Sequence, residues 1–443
     1  MAGRKFGTDG VRGPANVGLL TPSGAVRLGE ACANLIQADG LAPRALIASD
    51  TRLSCDMLVD GLSAGLMGGG VDVVKIGVAP TAALGVATAA QNAGLGLMVS
   101  ASHNPASDNG VKVFAGGGGK LDDGALQRLE RSLDAEGGGD AGAAVGRSRQ
   151  VDDPLGAYRQ AVLNAGGGPG GLSGLSIVLD AANGAGSKIA PDILKALGVQ
   201  TQCMFCEADG AQINAGCGAV HPEALAEAVK AKGADAGLAL DGDADRIVLV
   251  DETGAVLDGD QILALLAEDA KARGALAGSS VVGTVMCNSA LERHLSTLGL
   301  SLIRTPVGDR FVATKLSEIG ANVGGEPSGH VLLTDYAPSG DGLLAGVAAL
   351  QALKRYGGPA SGVFRRFAPD PSVLINVKAQ RARAADQDVA AAVARAEADM
   401  GETGRVLVRP SGTEPLVRVL VECMDRDIAS RHAQAIADVI AKP

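Results

Sequence analysis

Aromatic residues are nearly absent: six Phe, three Tyr and no Trp in 443 residues. A protein that binds nucleic acid by base stacking needs an aromatic platform, and none stands out here. No run approaches the ~18 apolar residues of a membrane span. Positive charge is not in excess, since 39 Lys and Arg against 49 Asp and Glu leave a net charge of −10. That balance argues against a general binder of nucleic acid or anionic membranes. The opening MAGRKFGTDGVRG lacks the apolar stretch of a signal peptide. The seven cysteines (Cys32, Cys55, Cys203, Cys206, Cys217, Cys287 and Cys423) are odd in number and scattered, the pattern of reduced thiols. Cys203 and Cys206 have the C-x-x-C spacing but no second pair to complete a zinc site. These absences lead us to expect a soluble, cytoplasmic protein.

What is present is a globular composition. Hydrophobic residues make up 47% and charged residues 20%, which excludes a disordered or fibrous chain. The core must come from Val, Leu, Ile and Ala. The 64 glycines are about twice the usual share. At roughly 150 residues per domain the length suggests about three domains, with two to four the range. Short apolar runs (Ala45–Ala48, Val71–Ile76, Leu95–Val99, Leu175–Leu179, Gly237–Leu240 and Val281–Val285) end in Gly/Asp/Ser/Asn loops and precede Ala-rich, helix-like segments. This alternation predicts an α/β fold with mixed, largely parallel sheets, whose ligands gather beyond the carboxyl ends of the strands. Polar, Gly-rich seams lie at Asp134–Asp153 and Gly166–Gly174, a weaker break near Asp258–Asp260, and a last one around Tyr356–Gly362. After that, Val373–Val377, a helix from about Ala384 to Asp399, Arg405–Arg409 and Leu416–Glu422 predict a smaller α+β unit.

Four loops carry chemistry. Ser100–Pro105 (S-A-S-H-N-P) follows an apolar run, so Ser102 reads either as a helix cap or as an exposed nucleophile. His103, Asn104 and the downstream D-N-G-V-K with Lys112 add polar groups that favour the second. Asp241–Arg246 (D-G-D-A-D-R) spaces three carboxylates at i, i+2 and i+4. The alternatives are a solvated acidic turn and a cation site. Three such charges repel without a cation or protons, and Asp241, Asp243 and Asp245 suit magnesium, which takes few carboxylates and commonly completes its shell from a phosphate. A calcium EF-hand is excluded by the missing Glu at the twelfth position and the β-like run Ile247–Val250 that follows. Gly324–His330 (G-G-E-P-S-G-H) is either a tight turn or a set of polar groups, Glu326, Ser328 and His330, suited to sugar hydroxyls. Arg409–Pro415 (R-P-S-G-T-E-P) is either a bare turn or an anion nest of Ser411, Gly412 and Thr413 with Arg409 and Arg418. It is not a nucleotide P-loop, because G-x-x-x-x-G-K-[ST] is absent.

The four loops in this order resemble the α-D-phosphohexomutase superfamily. The likeness extends to Phe6–Gly13 (F-G-T-D-G-V-R-G), Val250–Ile262 (V-D-E-T-G-A-V-L-D-G-D-Q-I), Val307–Val312 (V-G-D-R-F-V) and Ser339–Gly342 (S-G-D-G), and runs from about residue 4 to 440. Pro327, where many relatives have Gln, and the run Gly116–Gly119 depart from the pattern. The resemblance implies three related α/β domains, 1–150, 151–256 and 257–365, and a smaller C-terminal α+β domain, 366–443, in a heart shape around a central cleft. It implies a phosphoserine at Ser102 and one Mg²⁺ on Asp241, Asp243, Asp245 and that phosphate. Glu326 and Ser328 would bind sugar hydroxyls, and Arg409, Ser411, Gly412 and Thr413, with Arg418, the non-reacting phosphate. Arg12, His103, Lys112, Arg246, Arg310 and His330 match other cleft positions.

The activity so implied interconverts glucosamine 6-phosphate and glucosamine 1-phosphate through a 1,6-bisphosphate, with glucosamine or glucose 1,6-bisphosphate as activator and intermediate. The product would feed UDP-N-acetylglucosamine and cell-wall synthesis. His330 is the first candidate for acid/base work and Lys112 the second. The partner implied is a phosphosugar, with no nucleic acid or membrane, in a homodimer. The alternatives are glucose or mannose phosphates as substrates, a metal-dependent phosphatase, or a non-catalytic binding protein. The dehalogenase-type phosphatase pattern D-x-D-x-T/V fits poorly, because Asp245 stands where Thr or Val belongs.

Overall fold

The structure, a computed structural model, describes residues 10–134, 144–410 and 416–442. The chain divides into two compact units, Met1–Thr284 with Thr305–Arg366, and Val285–Arg304 with Phe367–Pro443.

In the first unit the apolar runs become strands buried on both faces, the condition that selects Val, Leu and Ala without alternation. Leu95–Val99 is buried at every position and runs parallel to Arg44–Ser49, which in turn runs parallel to Asp72–Val78. The sheet order is Val11–Pro14, Asp108–Ala115, Leu95–Val99, Arg44–Ser49, Asp72–Val78, Ser148–Arg149. Its first two strands are antiparallel to their neighbours. Asp108–Lys112, a dense set of polar groups in sequence, opens an eight-residue strand. Lys112 on that strand reaches the aspartates of D-G-D-A-D-R.

Helix Pro22–Ala38 starts where the Thr21 hydroxyl accepts the Gly24 N–H at 3.0 Å, with Pro22 at the first position. It packs closely on Cys55–Gly68, because glycines face each other. A Cβ on Gly29 would lie 2.3 Å from the Leu62 carbonyl oxygen, and one on Gly65 would lie 2.1 Å from that of Val26. Leu28, Leu58 and Leu62 are fully buried around this contact, each contributing about 1.5–3 kcal/mol of burial.

A second sheet runs Val256–Leu257, Ile247–Asp251, Ala236–Leu240, Ser176–Asp180, Gln200–Met204. Ser176–Asp180 is parallel to both neighbours, while Ala236–Leu240 and Ile247–Asp251 pair antiparallel from Leu240 opposite Ile247. D-G-D-A-D-R is therefore the connection of a hairpin. In the third group of strands, Ser280–Thr284 runs parallel to Val323–Gly325, which turns back antiparallel into Val331–Leu333. The residues from Glu326 to His330 form that turn. Asp258 caps helix Gly259–Ala272 by accepting the Gln261 N–H.

The second unit holds three antiparallel strands in the order Ser372–Lys378, Leu416–Cys423, Gly404–Pro410. Helices Gln387–Met400 and Arg426–Ile440 cover them, burying Val417, Val419, Val421, Ala429 and Ile436. The seven cysteines are free thiols, with Cys203 exposed. Among the described residues no helix is long and apolar enough to cross a membrane.

Candidate active site

Ser102 sits just past strand Leu95–Val99 with φ +53° and is 1% exposed. That backbone is seldom adopted by a residue with a Cβ, and it aims the hydroxyl away from the strand. Oγ donates to Asp241 Oδ2 at 2.6 Å and lies 3.3 Å from His103 Nδ1. The serine loop and the aspartate hairpin thus meet at their chemical residues.

The three aspartates are buried, and one carboxylate oxygen from each lies within 4.8 Å of the others. Asp243 Oδ2 accepts from Thr81 Oγ1 at 2.6 Å and from Lys112 Nζ at 2.7 Å, and Asp245 Oδ2 accepts from Lys112 at 2.8 Å. Lys112 reaches both from strand Asp108–Ala115. Oδ1 of Asp243 and Oδ1 of Asp245 are buried without a hydrogen bond. Burial and the neighbouring charges of Asp245 and Asp243 push the Asp241 carboxyl up to about 8. Burial acts upward on Asp245 as well, but Lys112, His330 and Arg246 outweigh it and hold that carboxyl well below its usual range. Three buried carboxylates with converging oxygens, and two oxygens of the trio left without a hydrogen bond, fit a hard divalent cation.

His330 lies between two carboxylates, Nδ1 3.7 Å from Asp245 Oδ1 and Nε2 3.3 Å from Asp309 Oδ2. Burial opposes its charge, yet Asp245 and Asp309 overcome it and raise the imidazole to about 10. His103 goes the other way, pushed down to about 4 by burial and by the cations of Arg246 and Arg12. One imidazole is thus a cation and the other neutral. A Cβ on Gly340 would lie 2.1 Å from His330 Nε2, so S-G-D-G clears space for the ring.

Around this centre, Arg246 Nε stands 4.0 Å from Asp245 Oδ1. Arg12 is on the strand paired with Asp108–Ala115, opposite Gly110. Glu326 Oε1 accepts the Gly308 N–H at 3.1 Å, and Ser328 is exposed at the turn beside it. Arg310 pairs with Asp123 at 2.7 Å and stacks over the Phe311 ring. In the second unit, Arg409 and Arg418 stand opposite each other on paired strands. Ser411, Gly412 and Thr413 lie outside the described residues, as does the first part of F-G-T-D-G-V-R-G.

Several contributors went unremarked in sequence. Asp309 lies inside V-G-D-R-F-V and Thr81 begins the helix after strand Asp72–Val78, so only strand-exit position could have flagged them. Arg52 and Asn214 gave no signal, because they bond to main-chain carbonyls.

Four domain models described as phosphoglucomutase/phosphomannomutase match in order: alpha/beta/alpha domain I over residues 3–138, II over 167–254, III over 258–369 and the C-terminal domain over 374–439. A phosphoglucosamine mutase of Roseobacter denitrificans is 45% identical over 441 residues, covering 98% of this chain and 98% of its own. The chain belongs to the phosphoglucosamine mutase family of the phosphohexomutase superfamily. A phosphoglucomutase/phosphomannomutase family protein from Burkholderia thailandensis superposes with TM-score 0.83 at 27% identity, covering 100% of this chain and 99% of that one. The N-acetylphosphoglucosamine mutase of Aspergillus fumigatus, solved with GlcNAc-6P and magnesium, shares the fold at TM-score 0.66 and 18% identity, over 99% and 95% of the two chains.

Proposed function

We propose that this chain interconverts glucosamine 6-phosphate and glucosamine 1-phosphate, with Ser102 as the phosphoryl carrier and a 1,6-bisphosphate as the intermediate. The observation that carries the reading is Ser102 Oγ at 2.6 Å from Asp241, within a buried trio of carboxylates. The name borne by the Roseobacter denitrificans relative supports the amino sugar as substrate.

In its phosphorylated form Ser102 hands the group to the free sugar hydroxyl, and the hydroxyl proton travels the other way to Oγ. The bisphosphate turns end for end, and its second phosphate returns to Ser102. Splitting the transfer through a covalent enzyme avoids moving phosphate directly between distant carbons. Asp241, Asp243 and Asp245, with the Ser102 phosphate, would hold one Mg²⁺, which disperses charge on the transferred group when bound. His330, with Lys112 second, relays the proton. Paired with two carboxylates and raised to about 10, the His330 imidazolium gives its proton to the departing oxygen and recovers one from the attacking hydroxyl. Arg12, His103 and Arg246 act on the reacting phosphoryl group. Glu326, Ser328 and Arg310 bind the sugar, and Arg409, Ser411, Gly412, Thr413 and Arg418 the phosphate that does not react. Glucosamine or glucose 1,6-bisphosphate serves as activator.

The net charge of −10 and the scarcity of aromatics support a small-molecule partner over nucleic acid. We carry the cytoplasm, a homodimer, and the boundaries 1–150, 151–256, 257–365 and 366–443 as part of the same proposal. Turnover compared across glucosamine, glucose and mannose phosphates tests the substrate. The amino sugar should have the highest kcat/KM, and preference for glucose or mannose would overturn that assignment.

A further inference from the structure

The hydroxyl of Ser102 has an anchor that its own chemistry removes. Once Oγ carries a phosphoryl group it has no proton to give Asp241, and that hydrogen bond is lost. A grip on the Ser102 backbone, by contrast, does not depend on what Oγ carries.

Arg52 heads the fully buried side chains by size. Its Nε pairs with Asp50 Oδ2 at 2.9 Å. Nη2 donates to the carbonyls of Ser102 at 2.9 Å and Asn104 at 2.7 Å, and Nη1 to those of Asp108 at 3.0 Å and Pro105. Four carbonyls of one loop converge on a single guanidinium, which a compact ammonium could not span. Asn214 Nδ2, from beyond the second sheet's strand Gln200–Met204, donates to the same Ser102 and Asn104 carbonyls at 2.8 and 3.1 Å. Asp50 Oδ2 also accepts from Ser100 Oγ at 2.6 Å, and that oxygen accepts the Ser102 N–H at 2.9 Å. Gly242 leaves room for this grip, since a Cβ there would lie 2.5 Å from the Ser102 carbonyl oxygen and 2.8 Å from Asn214 Nδ2.

We infer that Arg52 and Asn214 are positioning residues that clasp the Ser102 carbonyl from two sides and keep Oγ aimed at the aspartates while the phosphoryl group comes and goes. The inference rests on the reading of Ser102 as the carrier. It assigns to D-T-R-L-S (Asp50–Ser54) and to Asn214 a part in the transfer step, and none in holding the sugar.

The test compares wild type with Asn214→Ala, Arg52→Lys and the double variant. Arg52→Met is avoided because it would strand the buried Asp50 carboxylate. Thermal midpoint, kcat and KM for glucosamine 6-phosphate with added glucose 1,6-bisphosphate are measured, together with the rate of Ser102 phosphorylation by intact mass. Asn214→Ala should melt within a few degrees of wild type and keep KM within about twofold. Its kcat and phosphorylation rate should fall by about 10–100-fold, the scale of an ångström-level misplacement. Arg52→Lys should lose more, and the double variant less than the product of the two, because both act on one carbonyl. A kcat within twofold of wild type in both single variants would overturn the inference, as would losses matching the folded fraction. Ser102→Ala is the control. If it turns over, the carrier reading falls first; if it is dead while both single variants run at full rate, only the positioning inference falls.

Discussion

Ser102 Oγ and Asp241 Oδ2 are 2.6 Å apart although 139 residues separate them in the chain. The bond joins a serine at the end of one parallel strand to an aspartate at the end of another. It marks where the serine loop and the aspartate loop share one volume.

The Asp241 carboxyl is pushed up to about 8 by burial and by its two neighbours. Asp241→Asn stays neutral without taking up a proton on folding, so metal-free protein near neutral pH should melt no lower than wild type, or slightly higher. Mg²⁺ should no longer raise the melting temperature, and kcat should drop by about 100-fold or more. Calorimetry with and without Mg²⁺ checks this. A metal-dependent rise of wild-type size would count against the site.

Gly340 borders His330 so closely that a Cβ would fall 2.1 Å from Nε2. Gly340→Ala must turn the ring off Asp309. We expect kcat to fall at least about tenfold with the protein still folded. Steady-state kinetics beside circular dichroism decide the matter, and a fully active Ala variant would remove His330 from the reaction.

The helix pair gives a stability prediction of opposite sign to helix propensity. Ala favours a helix over Gly by about 1 kcal/mol, but at Gly65 the added Cβ would lie 2.1 Å from the Val26 carbonyl oxygen. Overpacking of that kind costs about 1–3 kcal/mol, so Gly65→Ala should lower stability in urea unfolding. A more stable variant would show that the helices can separate without loss.

Asp341 supplies a separate pH signature. Its Oδ1 accepts the Leu344 N–H at 3.1 Å and caps helix Gly342–Tyr356, and the Tyr158 hydroxyl donates to it at 3.3 Å. Burial pushes this carboxyl up to about 6 from 3.8. The folded protein therefore keeps the proton to higher pH than the unfolded chain does. The stability so gained is full below the unfolded value and is lost as pH rises through about 6. Asp341→Asn keeps a capping side chain and cannot ionise. Relative to wild type it should gain about 1 kcal/mol between pH 5 and pH 7. Equal wild-type-to-variant differences at the two pH values would contradict this.

The sequence was legible where chemistry and hydrophobicity share a short segment. Leu95–Val99 followed by S-A-S-H-N-P announces both a buried strand and its exit, and the structure keeps those bounds. D-G-D-A-D-R announces its carboxylates, and the trio is buried as one group. Asp108–Ala115 was hidden because Asp108, Asn109 and Lys112 mask the strand pattern, and Lys112 finds its partners only through the second sheet. Arg52 was hidden for a different reason. Its partners beyond Asp50 are carbonyl oxygens, present at every position of any sequence, so no side-chain pattern marks it. Gly242 has no side chain to mark it, and its role comes from the approach of the Ser102 carbonyl.

The most direct test follows the phosphoryl group itself. Protein incubated with glucose 1,6-bisphosphate is freed of it, then mixed with excess glucosamine 6-phosphate, and peptides are mapped by mass before and after. The account predicts one phosphoryl group on the Ser102 peptide, discharged on mixing as an equal amount of bisphosphate appears. A Ser102 peptide that stays unmodified through turnover, or a phosphoryl group released only as inorganic phosphate, would contradict it.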